Sequence, residues 1–415
     1  MGRRLTYALT AALLTVVLAA GVAQAQVKLI WTWCCGQDSR KVLFEELARE
    51  YSERTPGVEV EAIYPGGNYA AVIATWIAGG TQVDVMWTGQ NMWAFPFDPL
   101  DDLVRTDPNI AAVHPTMLQF GEWLGKQVVI PYGANTHTIA YNKGLFDRAG
   151  LAYPTAEWNW DEAIAMAFAL TRDTDGDGNP EQAGIWPYGP AVIASYLNYG
   201  GDSYSADGRR LNISNPGAVA GMQTYVDVTQ KLGIAPVDHT KVNWASGNLA
   251  MQQIGIFNVP AMRVEGIDWD VVPLPGLIVE GERRVAAFVS MEAWGVNPFS
   301  PHRKEAWDFV RWLFTPEVMA RIGASGVVIP TSAYGHEAFL NQEPPPATLS
   351  AFIESFAYGH QQVGSHPAGA EVWSAIASNS LYSQMIAGNA DPGTVLPELE
   401  RIGQAVLDQY WASQQ

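Results

Sequence analysis

Beyond its first 25 residues the chain alternates short apolar runs with longer segments whose hydrophobic residues recur every three to four positions. Residues 27–33 are β-branched and aromatic and predict a strand that ends in the hexapeptide WTWCCG, Trp31 to Gly36. Ser39 then caps a predicted helix running to about Arg54. Leu43, Leu47 and Tyr51 share one face of it, and Thr55-Pro56-Gly57 stops it. Residues 58–64, VEVEAIY, alternate as a second strand. Pro65 to Gly67 breaks it, a small-residue helix carrying Trp76 follows, and VDVMW at 83–87 reads as a short buried strand. Strand, helix, strand, helix, strand predicts a βαβαβ start. Right-handed crossovers bring the strand ends to one edge of the sheet. Trp33, Cys34, Tyr64, Asn68, Trp87 and Trp93 are therefore candidates for one wall of a cleft.

Further along, residues 126–142 read as two strands around a Pro-Tyr-Gly turn, followed by a short helix ending at Gly150. Helices are expected over 160–170, 193–199 and 216–232. Strands are expected at 254–259, 270–274 and 285–296, and one amphipathic helix over 305–322 carries Trp307, Phe309, Val310 and Leu313 inward. The fold class this predicts is α/β, and no internal repeat interrupts it.

Composition agrees with a large globular protein: 415 residues, 48% hydrophobic, with 39 Gly and 26 Pro. Residues 1–25 have the pattern of a secretory signal, with Arg3 and Arg4, an apolar stretch and a small-residue site at Ala23-Gln24-Ala25. The same stretch retained as an N-terminal anchor is the alternative, though no basic flank follows it. Removing the leader takes the formal charge from −18 to −20, since it carries two arginines and no acid. An acidic chain without a basic run is repelled by phosphate backbones and anionic lipids, which excludes nucleic acid as a partner. The 16 Trp supply flat faces suited to sugar rings, although many belong in the core.

The only cysteines are the neighbours Cys34 and Cys35. Export places them in an oxidising compartment, where free thiols are poorly tolerated. Adjacent Cα atoms lie about 3.8 Å apart, below the usual disulfide range. A vicinal disulfide is the expectation, and two reduced thiols in a strand-end turn are its alternative.

Five segments carry a resemblance: IPYGANTHTIAYNKGLFDRAGL at 130–151, WNWDEAIAMA at 158–167, VNWASGNLAMQQIGIFNVP at 242–260, VVPLPG at 271–276 and SGVVIPTSAYG at 325–335. In this order they resemble the extracellular solute-binding proteins that feed ATP-binding cassette sugar importers. The resemblance implies a two-lobed periplasmic-binding-protein fold with a hinge of crossing strands and a ligand cleft between the lobes. It implies residues 26–140 with 288–330 as the first lobe, and 141–287 with 331–415 as the second, ending in C-terminal helices. A membrane permease would be the partner, and the chain a monomer. The paired cysteine departs from the family's pattern.

Sugar recognition needs flat apolar faces and convergent polar groups. Strand ends and turns supply Trp33, Trp87, Trp244 and Trp294, with Cys34 and Cys35. Tyr64, Asn68, Trp93, Asn135, Asn258 and Glu292 join them, each polar one with turn or helix capping as its plainer role, and Arg263 is a weaker candidate. Trp76, Trp307, Trp312 and Trp373 lie within helical patterns and are expected in the core. The rival class is a secreted carbohydrate hydrolase, which needs a carboxylate pair about 5–9.5 Å apart; Asp84, Glu122, Glu265 and Glu292 are the acids available to it. No cofactor is required by either reading. RDTDGDGNPEQAG, at 172–184, places Asp173, Asp175 and Asp177 as an EF-hand loop does, with Asn179 and Glu181 as further oxygen donors. Its twelfth place is Gly184 rather than Glu, so a structural Ca²⁺ loop and a solvated Asp-Gly turn stand as equal readings.

Overall fold

A computed structural model describes residues 26–35, 38–89, 97–104, 106–187, 193–360 and 362–414. The leader expected over 1–25 and the cleft candidate Trp93 lie outside the described residues. The βαβαβ start is present as β1 (Val27–Thr32), α1 (Asp38–Arg54), β2 (Val58–Ile63), α2 (Tyr69–Ala78) and β3 (Val85–Gly89). β1 pairs in parallel with both β2 and β3. Alternation along β2 buries Val60 and leaves Glu59 and Glu61 outward, as a half-covered edge strand requires.

The expected pair of strands over 126–142 is instead one strand of 13 residues, β4 (Ile130–Asn142), together with a separate short hairpin at 122–127. Pro-Tyr-Gly is not a turn there, because its backbone is paired along both edges and this pairing overrides the local turn preference. Pro131 is tolerated inside the sheet because its partner strand, β8 (Val289–Val296), shifts register between Glu292 and Ala293 beside it.

The principal sheet runs β2-β1-β3-β8-β4-β6-β5, where β5 is Ala183–Trp186 and β6 is Leu249–Gly255; β7 (Trp269–Pro273) and β9 (Ile329–Pro330) also pair with β4. β4 changes partners halfway along. Its first half, up to Thr136, lies against β8 and β9, and its second half, from His137, lies against β6 and β7. The strand therefore crosses from one lobe to the other at Thr136-His137.

Two apolar cores flank that crossing. Trp31, Phe44, Tyr132, Trp294 and Phe309 are at the centre of the first; Phe146, Trp160, Tyr196, Met222 and Leu399 belong to the second. The first core also takes in Phe339, Phe352 and Phe356, beyond residue 330. The single helix expected over 305–322 is two helices, α3 (Arg303–Leu313) and α4 (Pro316–Ser325). Pro316 has no N–H to continue the ladder and starts the second helix instead. The strand expected at 254–259 lies earlier, at Leu249–Gly255: β6 ends at Gly255, and Ile256–Asn258 is a 3₁₀ turn. Among the described residues no helix is long and apolar enough to cross a membrane.

Candidate functional site

A cavity of about 870 Å³ lies between the two lobes. The first lobe supplies Cys35, Trp87, Gly89, Asn135, Met291 and Glu292; the second supplies Ala194, Leu197, Ser203, Trp373 and Tyr382. Phe288, on the segment returning to the first lobe, also lines it, and its ring stacks on His137 at the crossing, 4.4 Å between centroids.

Glu292 forms the polar floor. It sits at the β8 register shift, opposite Gly89 on one side and Gly133 on the other. The missing side chains at these two neighbours are matched by close packing, with the Trp87 ring over Gly89 and Val328 against Gly133. A Cβ at Gly133 would stand 2.5 Å from Val328 Cγ2, which shows how closely the crossing strand is packed. Five donors converge on the carboxylate: Arg40 Nη1 (2.6 Å), Trp87 Nε1 (3.1 Å) and the Tyr132 hydroxyl (2.7 Å) reach Oε2, while Arg40 Nη2 (3.0 Å) and Asn135 Nδ2 (3.4 Å) reach Oε1.

Arg40 is a residue the sequence reading passed over. It lies in the first turns of α1 and is almost fully buried at 3% exposure. Its Nη1 also donates to the Cys34 carbonyl at 3.3 Å, and its Nη2 to the Val327 carbonyl at 3.4 Å. Burial opposes its charge, but Tyr132 and Glu292 more than offset that, so its pKa lies above the ordinary guanidinium range. Burial and the Glu292 charge hold the Tyr132 phenol well above its usual value, which keeps it a neutral donor. Trp87 is steadied from behind, since its backbone N–H donates to the Tyr69 hydroxyl at 3.0 Å and that hydroxyl meets Thr32 Oγ1 at 2.8 Å.

The remaining candidates separate clearly. Cys34 and Cys35 are bridged; Cys35 lines the cavity and Cys34 packs half-buried on the first core. Trp87, Asn135 and Glu292 come together at the floor. Trp33, Trp244 and Trp294 are placed in the core: Trp33 stacks on Tyr64, Trp244 packs edge-on to Trp269, and Trp294 stacks on Tyr132 at 3.8 Å. Asn68 caps α2 through the Ala71 N–H, and Asn258 accepts from the Gly255 N–H. Neither these residues nor Tyr64 line the cavity. Arg263 binds the carbonyls of Glu343 and Pro345. Trp373, expected in the core, is half-buried on α5 (Gly369–Ala377) and lines the cavity.

Glu292 is the single acidic side chain among the described lining residues, and its oxygens are already occupied. Asp84 accepts from Ser300, Gln82 and the Ile30 N–H, and Glu122 and Glu265 lie exposed outside the cavity. In the acidic loop, carboxylate oxygens of Asp173, Asp175 and Asp177 lie within 4.8 Å of one another. Asp173 also accepts from Gly176 and Gly178, Asp175 from Asp177, and Asp177 from Asn179, all backbone amides of the same loop. Glu181 turns to Thr174.

Two α/β lobes joined through a crossing strand, with a cavity walled by both, define a two-lobed ligand-binding protein. The chain belongs to the family described as bacterial extracellular solute-binding protein, whose profile matches residues 37–320. It is 22% identical over 311 residues to a maltotriose-binding protein of Pyrococcus abyssi, an alignment covering 72% of this chain and 65% of that relative, a little under two thirds of the relative's length. It shares its fold with the cyclic α-maltosyl-1,6-maltose binding protein of Arthrobacter globiformis, with a TM-score of 0.73 at 20% identity over 92% of this chain and 99% of that one. An ABC substrate-binding protein of Listeria monocytogenes, solved in complex with cycloalternan, gives a TM-score of 0.69 at 19% identity over 92% and 98%.

Proposed function

We propose that this chain binds an uncharged sugar or oligosaccharide between its lobes and delivers it to an ATP-binding cassette importer. The observation that carries the proposal is the floor of the cavity. A carboxylate neutralised by Arg40 and fixed by four side chains sits beside the indole of Trp87, with Trp373 contributed by the other lobe. Asn135, oriented by that carboxylate, exchanges hydrogen bonds with sugar hydroxyls, while indole faces cover the C–H side of a ring. A neutralised floor favours a neutral ligand over a cation. The relatives named for maltotriose and cyclic maltosyl-maltose support the same ligand class.

A ligand that touches both lobes binds their closed arrangement better than the open one, and this difference is the signal an importer reads. On this proposal the chain works outside the cytoplasm as a monomer, with residues 1–25 as its export leader, and performs no catalysis. Binding needs no cofactor. A hydrolase would place a second carboxylate at the cavity, and the described lining residues offer Glu292 alone.

Thermal-shift screening against mono- and oligosaccharides tests the reading. A bound sugar raises the melting temperature in proportion to RT ln(1 + [L]/Kd). A saturable shift without products on prolonged incubation is the expected result. Turnover of the sugar, or no shift across the panel, would overturn the proposal.

A further inference from the structure

Cys35 is an unusual residue to find in a sugar cavity. It lines the same space as Trp87 and Trp373, it is exposed, and its sulfur is bridged to that of the residue before it. The bridge joins two neighbouring side chains in one small ring without a polar hydrogen, which makes a compact, polarisable apolar patch. Cys35 holds φ at 66°, the left-handed region that residues with a Cβ rarely adopt, and in this conformation it lines the cavity. The patch is also tied to the polar floor. Arg40 Nη1 donates to the Cys34 carbonyl at 3.3 Å and to Glu292 Oε2 at 2.6 Å, so one guanidinium fixes the disulfide turn relative to the carboxylate.

We propose that the Cys34–Cys35 bridge is a ligand-contacting surface of the sugar site, and that affinity follows the redox state of the pair. The inference rests on the sugar reading above. The ring covers the C–H face of a pyranose whose hydroxyls reach Asn135. A dithiol reductant delivers two electrons and two protons to the pair: the Sγ–Sγ bond breaks, two thiols form, and the dithiol becomes a disulfide. The freed thiols rotate independently, and nothing then holds Cys35 in the left-handed region. The rigid patch is lost while the two cores remain, since the pair adds only the half-buried Cys34 to the margin of the first.

The experiment uses the full mature chain and the sugar that gives the largest shift in the panel above, maltotriose included. Calorimetric titration of the oxidised protein is compared with titration after dithiothreitol treatment, with two titratable thiols confirmed, and with a C34A/C35G variant. The glycine accepts the left-handed backbone, so this variant keeps the turn without sulfur. The expected result is a Kd at least tenfold higher in both altered forms, with an unchanged far-ultraviolet circular dichroism spectrum. Equal affinity in all three forms overturns the inference and leaves the sugar reading standing. A panel in which no sugar binds the oxidised protein overturns both.

Discussion

Arg40 and Glu292 are 252 positions apart in sequence and meet as a buried two-bond ion pair, with Nη1–Oε2 at 2.6 Å and Nη2–Oε1 at 3.0 Å. The pair joins α1 to β8 and puts a neutralised carboxylate under the cavity. Removing one partner leaves the other charge buried and alone, which costs about 3–5 kcal/mol. Arg40→Met is therefore expected to lower the urea midpoint sharply and to abolish sugar binding. The double variant Arg40→Met/Glu292→Leu regains much of the stability, because no charge is stranded, but it does not regain binding. Recovery of binding in the double variant would show that the pair serves the fold alone.

Gly133 lies on the crossing strand opposite Glu292, and a Cβ there would stand 2.5 Å from a buried, branched Val328 side chain. Neither strand has room to move apart, since Gly133 is paired on both edges, with Glu292 and with Pro330. Gly133→Ala is expected to cost about 1–3 kcal/mol by overpacking. It also weakens binding by displacing the floor. Equilibrium unfolding and titration of the same variant separate the two effects, and a neutral stability change would mean that the strand yields more easily than its pairing implies.

Four histidines, His114, His137, His336 and His366, have pKa values lowered by burial, His137 to about 3 and His366 to about 4. Each binds a proton more readily in the unfolded chain, whose histidines titrate near 6.5. Their contribution to stability is therefore complete above about pH 6.5 and is lost as pH falls toward the folded values. Within that window each fully buried histidine adds a slope approaching about 1.4 kcal/mol per pH unit. The melting temperature is expected to fall steadily from pH 6.5 to 4, and His366→Gln to flatten that fall. A melting temperature constant over this range would refute the assignment.

Much of the first lobe was legible in the sequence, and the reasons are local. Val27–Thr32, Val58–Ile63 and the helix between them follow from hydrophobic period and stop signals, and all three survive packing. The cysteine pair was legible by elimination, as no other partner exists in the chain. The crossing strand was not legible. Pro-Tyr-Gly reads as a turn until four strands pair along β4, and such pairing leaves no mark on the local pattern. The floor was half legible: Trp87, Asn135 and Glu292 were found by chemistry and position, but Arg40 sits inside an amphipathic helix where an arginine normally faces solvent. Its partner was too distant in sequence to suggest that it turns inward. Trp33, Trp244 and Trp294 misled for the converse reason, because an indole at a strand end has the same sequence pattern whether it faces the core or the cleft.

That distinction is itself open to measurement, through two tryptophans in contrasting places. Trp373 is half-buried on α5 and lines the cavity, touching Tyr382 edge-on at 5.6 Å. Trp244 is buried, packs edge-on to Trp269 at 5.7 Å, and donates its Nε1 to the Met262 carbonyl at 3.2 Å. Covering an aromatic ring with ligand is worth about 1.5–3 kcal/mol, or roughly 10- to 100-fold in Kd. Trp373→Ala is therefore expected to weaken sugar binding by that factor while leaving the melting temperature of the free protein nearly unchanged, because the ring is only partly packed without ligand. Trp244→Phe does the opposite: it removes one of the two hydrogen bonds the Met262 carbonyl accepts, the other coming from the Val264 N–H, and leaves a gap beside Trp269, so the melting temperature falls and the affinity holds. Calorimetric titration and thermal unfolding of both variants decide the matter. If Trp244→Phe weakens binding as much as Trp373→Ala does, the ligand lies elsewhere than in the cavity walled by Cys35, Trp87 and Trp373.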